Sequence, residues 1–298
     1  MLDIKKVLPR LRPLVQKPIK DKVAVAEQLV YEALTEYKGR CCIAYSGGKD
    51  SELALWFALK VDKDVPVLFN NTGVEYPETI RFVHKLQEEW GFNLVETHAD
   101  CTFWDCVKER GFPKTKSNRT KVDGKGSANL CCYHLKEKPA MLAMRKNGWD
   151  CSITGVTAIE NRNRQINAIT HGMAYTMRGS GTRKVHPILY WTPDEVFAFF
   201  KDRGIPINPL YSHPSGTVDR VGCSTCTAFK GWENQLSQVN PKLYQLIKKR
   251  MLPTDISDGN LDDDPCTMYI GGKVVKTCDV YGHAFIKGAC FRCGLEEN

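Results

Sequence analysis

One stretch near the start of the chain constrains the fold more than any other. An apolar run at residues 41–45 leads into Ser46-Gly47-Gly48-Lys49-Asp50-Ser51, and residues 52–59 have the composition of a helix. A strand that turns through glycines into a helix presents backbone N–H groups and the positive end of the helix dipole. Glycines let a phosphate approach the backbone closely, and a lysine adds a mobile positive charge. We therefore predict an anion site at residues 46–51; the alternative is an ordinary glycine turn with a Ser/Asp helix cap.

Strand patterns and helix patterns alternate along the rest of the chain. Short apolar runs predict strands at 41–45, 65–70, 92–97, 151–155 and 184–189. Apolar spacing and composition predict helices at 23–37, 52–59, 80–90, 130–146, 193–203 and 235–250. This alternation predicts the α/β class with a doubly wound parallel sheet, in which ligands bind beyond the carboxyl ends of the strands. Gly47 and Gly73 both lie at such ends.

The composition is that of an ordinary globular protein with an excess of positive charge. The 298 residues are 42% hydrophobic and 26% charged, and no apolar run approaches the length of a membrane span. Residues 1–22 lack a signal-peptide core, so we expect a cytoplasmic protein with no membrane partner. The net charge of +8 suits an anionic partner such as a nucleotide or nucleic acid, although solubility explains it equally well.

Two segments differ from the rest in composition. Residues 110–129 are rich in basic residues and predict a mobile loop, with Lys114, Lys116, Arg119, Lys121 and Lys125. This loop is either a lid over a phosphate or nucleic acid, or a solvated charged loop. Residues 255–264 are acidic and read as a linker. We therefore predict a nucleotide-binding domain at 1–252, followed by a linker and a small tail at 253–298.

Thirteen cysteines are unusual for a protein of a reducing compartment, and their clustering indicates metal. Cys131-Cys132 and Cys223-x-x-Cys226 together supply four thiolates. Adjacent cysteines do not easily bind one tetrahedral zinc, whereas each can bind a different iron of a cubane. The pattern favours a 4Fe–4S cluster, and the alternative is a set of buried structural thiols.

A second set of soft ligands lies in the tail. The spacing is Cys278-x4-His283-x6-Cys290-x-x-Cys293, with a glycine directly after the last cysteine. Four such ligands in a segment too short to bury a core favour tetrahedral Zn²⁺. The alternative keeps Cys290 or Cys293 as a redox thiol. A zinc-binding tail of this kind is a possible second contact with nucleic acid.

These motifs together resemble a known family over residues 40–230. Ser-Gly-Gly-Lys-Asp-Ser resembles the pyrophosphate loop (PP-loop) of the ATP pyrophosphatases. The remaining matches are Cys131-Cys132 with Gly222-Cys223-x-x-Cys226-Thr227, Thr72-Gly73 with Pro77-Glu78-Thr79, Pro187-Ile188 with Trp191-Thr192, and Ile205-Pro206-Ile207-Asn208-Pro209-Leu210-Tyr211. They resemble the adenylyl-sulfate/phosphoadenylyl-sulfate (APS/PAPS) reductase family, which includes sulfurtransferase-like members of bacterial DNA phosphorothioation. The resemblance implies a Rossmann-like adenine nucleotide α-hydrolase fold.

The chain departs from the family pattern in three places. It keeps the complete PP-loop, which is generally degenerate in the reductases. The family stretch Gly-x-Arg-x-x-Glu-Ser-x-x-Arg retains Gly155, Glu160 and Arg164, whereas Thr157 and Asn161 replace its first Arg and its Ser. Cys293-Gly294-Leu295 resembles part of the catalytic tail of the reductases, but in a different setting.

The resemblance implies an ATP pyrophosphatase reaction linked to sulfur transfer, with ATP and Mg²⁺ bound at the loop and a sulfur donor protein or thioredoxin as partner. The catalytic residues would be Lys49, Asp50 and Arg164. The nucleotide-binding residues would be Ser46, Gly47, Gly48, Lys49, Asp50, Ser51, Thr72, Gly73, Lys136 and Glu160. The alternatives are a helix cap for Asp50 and solvated side chains for Arg164 and Lys136.

Two other functions stay open at this point. An APS/PAPS reductase would form sulfite and consume no ATP. A non-catalytic nucleotide sensor or nucleic-acid-binding accessory protein would bind nucleotide without turnover. Thr157 in place of arginine is consistent with this loss of turnover.

Overall fold

A computed structural model describes residues 4–115, 129–214, 218, 220–251 and four short strands between residues 267 and 290. The helices are α1 (Ile4–Val15), α2 (Ile19–Glu36), α3 (Lys49–Val61), α4 (Pro77–Trp90), α5 (Phe103–Arg110), α6 (Leu130–Cys132), α7 (Lys138–Lys146), α8 (Arg162–His171), α9 (Pro193–Arg203), α10 (Trp232–Val239) and α11 (Pro241–Met251). The strands are β1 (Cys41–Tyr45), β2 (Val67–Asn71), β3 (Leu94–His98), β4 (Cys151–Thr154), β5 (Ala174–Thr176), β6 (Arg183–Val185), β7 (Thr267–Ile270), β8 (Lys273–Lys276), β9 (Phe285–Ile286) and β10 (Ala289–Cys290).

Six of these strands form one mostly parallel sheet, in the order β3-β2-β1-β4-β6-β5. Strand β1 lies between β2 and β4, so that Ile43 is opposite Val67 on one side and Ile153 on the other. Because β1, β4 and β6 run parallel, their carboxyl ends meet at one edge of the sheet. The predicted α/β class is confirmed, but the sheet is not wholly parallel, because β5 pairs antiparallel with β6.

The chain divides into two compact units that alternate along the sequence. The first comprises Met1–Phe69, Arg81–Glu96 and Leu142–Asn208, and the second comprises Asn70–Ile80, Thr97–Met141 and Pro209–Asn298. The predicted boundary at residue 252 falls where the described helices end, and it stays a prediction.

The first unit has a large apolar core. Strand β1 is buried along nearly its whole length, and helix α3 buries Leu53 and Phe57 against the same cluster. The Trp191 ring lies at the centre of this cluster, 6.0 Å from the ring of Phe57 in an edge-on arrangement. This packing fixes the start of α3 relative to the end of β1.

The second unit has smaller cores. One of them buries Ala99, Phe103 and Leu135, which brings the segment after β3 against the segment that joins α6 to α7. That joining segment, Tyr133–Glu137, is a π-helix. Such π-helical turns are rare in proteins, and those that occur frequently lie at functional sites.

Several predicted elements have different bounds in the structure. The predicted helix at 235–250 is two helices, because Pro241 cannot continue α10 but is well placed to begin α11. The predicted helix at 130–146 is interrupted by the π-helix. Helices α1, α5 and α8 were not predicted. Helix α1 contains Pro9 and Pro13, which argue against a helix when they are read from sequence alone.

Within the described ranges, none of the helices combines the length and the apolar character needed to span a bilayer.

Two other sequence predictions fall largely on residues that the structure does not describe. Of the predicted zinc ligands, Cys290 belongs to β10, and Cys278, His283 and Cys293 lie outside the described residues. Most of the basic loop, residues 116–128, also lies outside them.

Candidate functional site

The PP-loop is a closed turn held by one hydroxyl. Gly47 has φ +71°, a left-handed conformation that favours glycine. Ser51 Oγ accepts a hydrogen bond from the Ser46 N–H at 3.1 Å and donates to the Gly48 carbonyl at 2.8 Å. The fully buried amide of Asn208 donates to the Gly47 carbonyl at 2.8 Å. The shape of the loop is therefore fixed from both sides by hydrogen bonds within the protein.

The first turn of α3 carries the two charged residues of the motif. Gly48 is the N-cap and provides no side chain to satisfy the first N–H groups of the helix. The Lys49 ammonium lies 2.8 Å from a carboxylate oxygen of Asp50, and both side chains are largely buried. Burial raises the pKa of Asp50, and the Lys49 charge opposes that rise. The start of α3 is therefore a candidate anion site with a lysine beside it.

Strand β4 ends directly against this turn. At Gly155, which follows β4, an added Cβ would lie 2.2 Å from the Asp50 carbonyl oxygen and 2.4 Å from the Ser51 nitrogen. No side chain fits at that distance, so only glycine allows this approach. Gly155 therefore sets the position of the PP-loop backbone.

The predicted clamp residues lie on and before α8. Arg164 forms an ion pair with Glu160, and both charges act on the pKa of Asp50. Asn161 Oδ1 accepts hydrogen bonds from the Asn163 and Arg164 N–H groups at 3.1 Å, so this residue caps α8. The structure thus places Glu160 and Arg164 near the PP-loop, and it explains why an asparagine suits position 161.

A histidine that the sequence analysis did not select lies at the same sheet edge. His186 follows β6, is 7% exposed, and has its Nδ1 atom 2.6 Å from the Thr154 hydroxyl. Burial, together with the charges of Lys184 and Arg164, lowers the pKa of His186 to about 4. It is therefore neutral at physiological pH and able to exchange a hydrogen bond with Thr154. The sequence analysis put this residue inside the predicted strand at 184–189, whereas β6 ends at Val185 and leaves His186 at the strand end.

The second unit brings together the four predicted cluster cysteines. A hydrogen bond with Cys132 and burial raise the pKa of Cys131, and ionisation of Cys223 or Cys226 would raise it further. Burial raises the pKa of Cys223 to about 11, against the opposing charge of Lys136. The Cys226 N–H lies 3.2 Å from the Cys223 carbonyl, which closes the Cys-x-x-Cys turn. The four thiols are therefore electrostatic neighbours.

The surroundings of these thiols can be compared with what a metal group needs. A tetrahedral zinc with bonds of about 2.3 Å needs sulfur atoms roughly 3.8 Å apart. In the described part of the chain, no three of these four sulfurs lie within 4.8 Å of one another. The hydroxyl of Thr225, between Cys223 and Cys226, is buried and has no hydrogen-bond partner among the described residues. A buried donor of this kind fits a group with sulfide acceptors, such as 4Fe–4S.

Three further predicted residues lie with these thiols in the second unit. The Thr72 N–H donates to Glu75 at 2.9 Å, and the Thr72 hydroxyl lies 3.6 Å from the Cys223 sulfur. Gly73 has φ +76° and donates its N–H to Asn71 Oδ1 at 3.0 Å. The thiolate of Cys223 and the carboxylate of Glu75 raise the pKa of Lys136, which is therefore a cation held beside the cysteines.

A protein-family model, the phosphoadenosine phosphosulfate reductase domain, matches residues 40–229, which is more than half of the chain. The chain belongs to the PAPS reductase family. Its match extends from the strand before the PP-loop to just beyond the Cys-x-x-Cys turn. The family lies in the PP-loop superfamily, so the resemblance drawn from the sequence motifs is confirmed.

This PAPS reductase-family chain has relatives in archaea and bacteria. It is 29% identical to an uncharacterized protein of Methanocaldococcus jannaschii over 207 residues, which cover 68% of this chain and 39% of that protein. It is 26% identical to the phosphoadenosine 5'-phosphosulfate reductase of Alkalilimnicola ehrlichii, covering 63% and 71% of the two chains. It is also 26% identical to the adenosine 5'-phosphosulfate reductase of Bacillus mycoides, covering 70% and 81%.

The chain spans 39% and 52% of the lengths of two M. jannaschii relatives. Among solved structures, the phosphoadenylyl-sulfate reductase of Candida auris in a phosphate complex matches with 18% identity and a TM-score of 0.49. That match covers 74% of this chain and 98% of the other.

Proposed function

We propose that this protein is an ATP pyrophosphatase that adenylates an acceptor and prepares it for sulfur transfer. The observation that carries the proposal is the complete PP-loop, shaped by Gly47, Ser51 and Asn208 at the start of α3. Such a turn offers backbone N–H groups and a lysine to a pyrophosphate. The reductases that this sequence resembles generally have a degenerate loop, so an intact one favours ATP as the substrate.

In this proposal the loop holds the β- and γ-phosphates of Mg·ATP. An acceptor oxygen attacks the α-phosphorus, the acceptor loses its proton, and pyrophosphate leaves. A sulfur donor then displaces AMP from the adenylated acceptor. Lys49 neutralises the charge that develops on the leaving pyrophosphate, Asp50 orients the loop or the Mg²⁺, and Arg164 contacts a phosphate. Because phosphoryl transfer needs mainly positioning and charge stabilisation, these groups suffice in principle.

Cys131, Cys132, Cys223 and Cys226 would hold a 4Fe–4S cluster in the second unit. When bound, such a cluster supplies a redox-active centre whose potential depends on hydrogen bonds and burial. Lys136 places its charge beside Cys223, where it would offset the negative charge of a thiolate-ligated centre. The Thr225 hydroxyl would donate to it. The zinc tail formed by Cys278, His283, Cys290 and Cys293 is a separate proposal.

Substrate consumption tests the proposal directly. The anaerobically purified protein is incubated with Mg·ATP, and separately with APS or PAPS and a thiol reductant, and both pyrophosphate and sulfite are measured. We expect pyrophosphate and AMP from ATP. The Lys49→Ala variant should lose this activity by about 10²–10³-fold, because it removes one preorganised charge. Lys60→Ala, on the exposed end of the same helix, is the matched control and should retain it.

The second candidate is APS/PAPS reductase, in which a thiol attacks the sulfur of the substrate and sulfite is released. The two named bacterial relatives favour it, because both are reductases and the match to this chain covers 71% and 81% of their lengths. Sulfite formation without pyrophosphate would establish this candidate and reject ours. Nucleotide binding with neither product would instead indicate the accessory protein.

We propose nucleic acid as the acceptor on the basis of a cavity in the second unit. The cavity has a volume of about 1000 Å³, and its lining combines basic and aromatic side chains: Phe112, Lys114, Phe229, Lys230, Trp232 and Arg250. Cations that contact phosphates and rings that stack on bases are the combination that binds single strands. Lys114 also belongs to the predicted basic loop at residues 110–129.

Fluorescence anisotropy with a labelled single-stranded oligonucleotide tests this acceptor. The Trp232→Ala variant should bind more weakly by about 1–3 kcal/mol, the usual contribution of one stacked base. Tyr31→Ala, an exposed aromatic on α2, should not change the affinity. Wild-type affinity should fall steeply with salt concentration. Equal binding by both variants, or binding insensitive to salt, would reject the cavity as the acceptor site.

A further inference from the structure

A third group of metal-ligating side chains lies in the second unit and has no part in the proposed reaction. It consists of Asp100, Cys101 and His134, and one ligand atom of each lies within 4.8 Å of the other two. Among the described residues, no other three Cys, His or carboxylate side chains have that spacing. Asp100 and Cys101 follow β3, whereas His134 belongs to the π-helix, so residues distant in sequence converge there.

The ligand types indicate which ion would bind. A thiolate, an imidazole and a carboxylate together suit Zn²⁺, which accepts sulfur, nitrogen and oxygen ligands at about 2.0–2.3 Å. In a tetrahedral sphere such ligands lie roughly 3.3–3.8 Å apart, so small side-chain rotations would bring this set into range. Three protein ligands leave a fourth position for water. Asp100 is exposed, which gives an ion a route from solvent.

Contacts within the protein fix the backbone on both sides of this set. Thr102 and Asp105 form a capping box at the start of α5, directly after Cys101. Ala99 and Phe103 are buried in the same small core as Leu135, which follows His134. The two ligand-bearing segments are therefore held against each other by apolar packing, and the polar side chains gather beside that packing.

Neighbouring side chains also orient the ligands. The Lys138 ammonium donates to Asp100 Oδ2 at 2.5 Å, and a carboxylate bound through one oxygen can keep such a partner. The Cys106 thiol is hydrogen-bonded to Cys101; burial raises the pKa of Cys101, and this hydrogen bond opposes the rise. Such outer contacts are usual around bound zinc, where they fix ligand orientation.

We propose that Asp100, Cys101 and His134 bind one zinc ion, distinct from the four-thiol set and from the tail. The ion would join the segment after β3 to the π-helix that follows Cys131 and Cys132. Binding releases the thiol proton of Cys101 to solvent and needs no change of oxidation state. The inference does not depend on the proposed reaction, because it concerns metal content alone.

Metal analysis of the full chain tests the site. Zinc and iron per chain are measured after anaerobic purification for the wild type and for Cys101→Ser, His134→Gln and His84→Gln. We expect the first two variants to lose about one zinc per chain and to keep the wild-type iron. His84→Gln, at a half-buried histidine on α4, should keep both. Cys226→Ser should lose iron and keep this zinc.

A second readout covers variants that fold poorly. Asp100→Asn preserves the shape of the side chain, and cobalt substitution reports thiolate ligation through a charge-transfer absorption. The difference spectrum between wild type and Cys101→Ser should contain that band, and it should weaken in Asp100→Asn. Zinc content equal in all variants, or zinc lost only with Cys226→Ser, would overturn the proposal.

Discussion

The contact of Gly155 with the PP-loop gives the sharpest prediction. In Gly155→Ala, the new Cβ would begin 2.2 Å from the Asp50 carbonyl oxygen, 2.3 Å from the Asp50 carbonyl carbon and 2.4 Å from the Ser51 nitrogen. Non-bonded heavy atoms prefer separations of about 3.5 Å, so the start of α3 must move by about 1 Å. All three contacts are with backbone, which cannot rotate away as a side chain could.

Two effects of this displacement are measurable. Overpacking of a tight core costs typically about 1–3 kcal/mol, and we expect the upper end because the strand and the helix are both buried. In a chain of this size each kcal/mol lowers the Tm by about 2–4 °C. A reacting group misplaced by about 1 Å loses activity by about 10²-fold. We therefore expect a lower Tm and a still larger loss of pyrophosphate release from ATP.

The assay combines thermal unfolding by circular dichroism, ATP titration calorimetry and pyrophosphate release. Gly179→Ala is the matched control, since a Cβ there meets nothing within 4 Å and its φ is not positive. That variant should match the wild type in all three. If Gly155→Ala keeps both its Tm and its ATP affinity, β4 does not press on the PP-loop, and the reasoning from this contact is wrong.

Three other residues near the PP-loop give independent predictions. Asn208→Ala should weaken ATP binding and lower stability by about 1–3 kcal/mol, because the Gly47 carbonyl loses a buried donor; calorimetry and thermal unfolding measure both. His186 should titrate with a pKa of about 4 by NMR, and between pH 4 and 6.5 the unfolded state binds the extra proton, so His186 makes stability fall as pH falls through that window. Glu52→Leu should raise stability at neutral pH by about 1–3 kcal/mol, since both carboxylate oxygens are buried without a partner among the described residues.

Each of these predictions has its own control. His186→Gln should reduce the acid dependence of stability, and an unchanged acid dependence in that variant would contradict the prediction. Burial raises the pKa of Glu52, so the wild type should lose stability as pH rises above the ordinary glutamate value, and Glu52→Leu should lack that loss. An unchanged pH profile in Glu52→Leu would mean that this carboxyl is solvated. Asn208→Asp should resemble Asn208→Ala, because a carboxylate cannot donate to Gly47.

The sequence predicted the elements whose local and tertiary preferences agree. Strand β1 and helix α9 have the predicted bounds, since the former is a buried apolar run and the latter has the Thr192 capping box with Pro193 after it. Glycines mark the left-handed turns that follow β1 and β2, at Gly47 and Gly73. At each of these positions a single residue type satisfies a requirement of the backbone itself.

Where tertiary contacts decide, the sequence predicted less. Strand β5 is only three residues long and pairs antiparallel at the sheet edge, where no hydrophobic run marks it. Helix α1 forms despite two prolines, and it buries Val7 and Leu11. Similarly, Asn208 was noted only as part of a motif, because its contact with Gly47 spans 161 residues of sequence.

The candidate sites divide in the same way. The Cys-Cys and Cys-x-x-Cys motifs are visible as patterns, and the structure brings all four thiols into one unit. Asp100, Cys101 and His134 have no motif spacing, since more than thirty residues separate the histidine from the other two. Only the shared core of Ala99, Phe103 and Leu135 brings them together.

The alternation of the two units along the chain has a consequence for biosynthesis. The polypeptide passes from one unit to the other five times, after residues 69, 80, 96, 141 and 208. No single cut yields either unit as a contiguous fragment, so halves made by truncation should aggregate rather than fold. On the ribosome the first unit cannot be completed until residue 208 has emerged. Strand β1 is synthesised early, and its neighbour β4 in the sheet follows about 110 residues later, so β1 stays incompletely paired during much of translation.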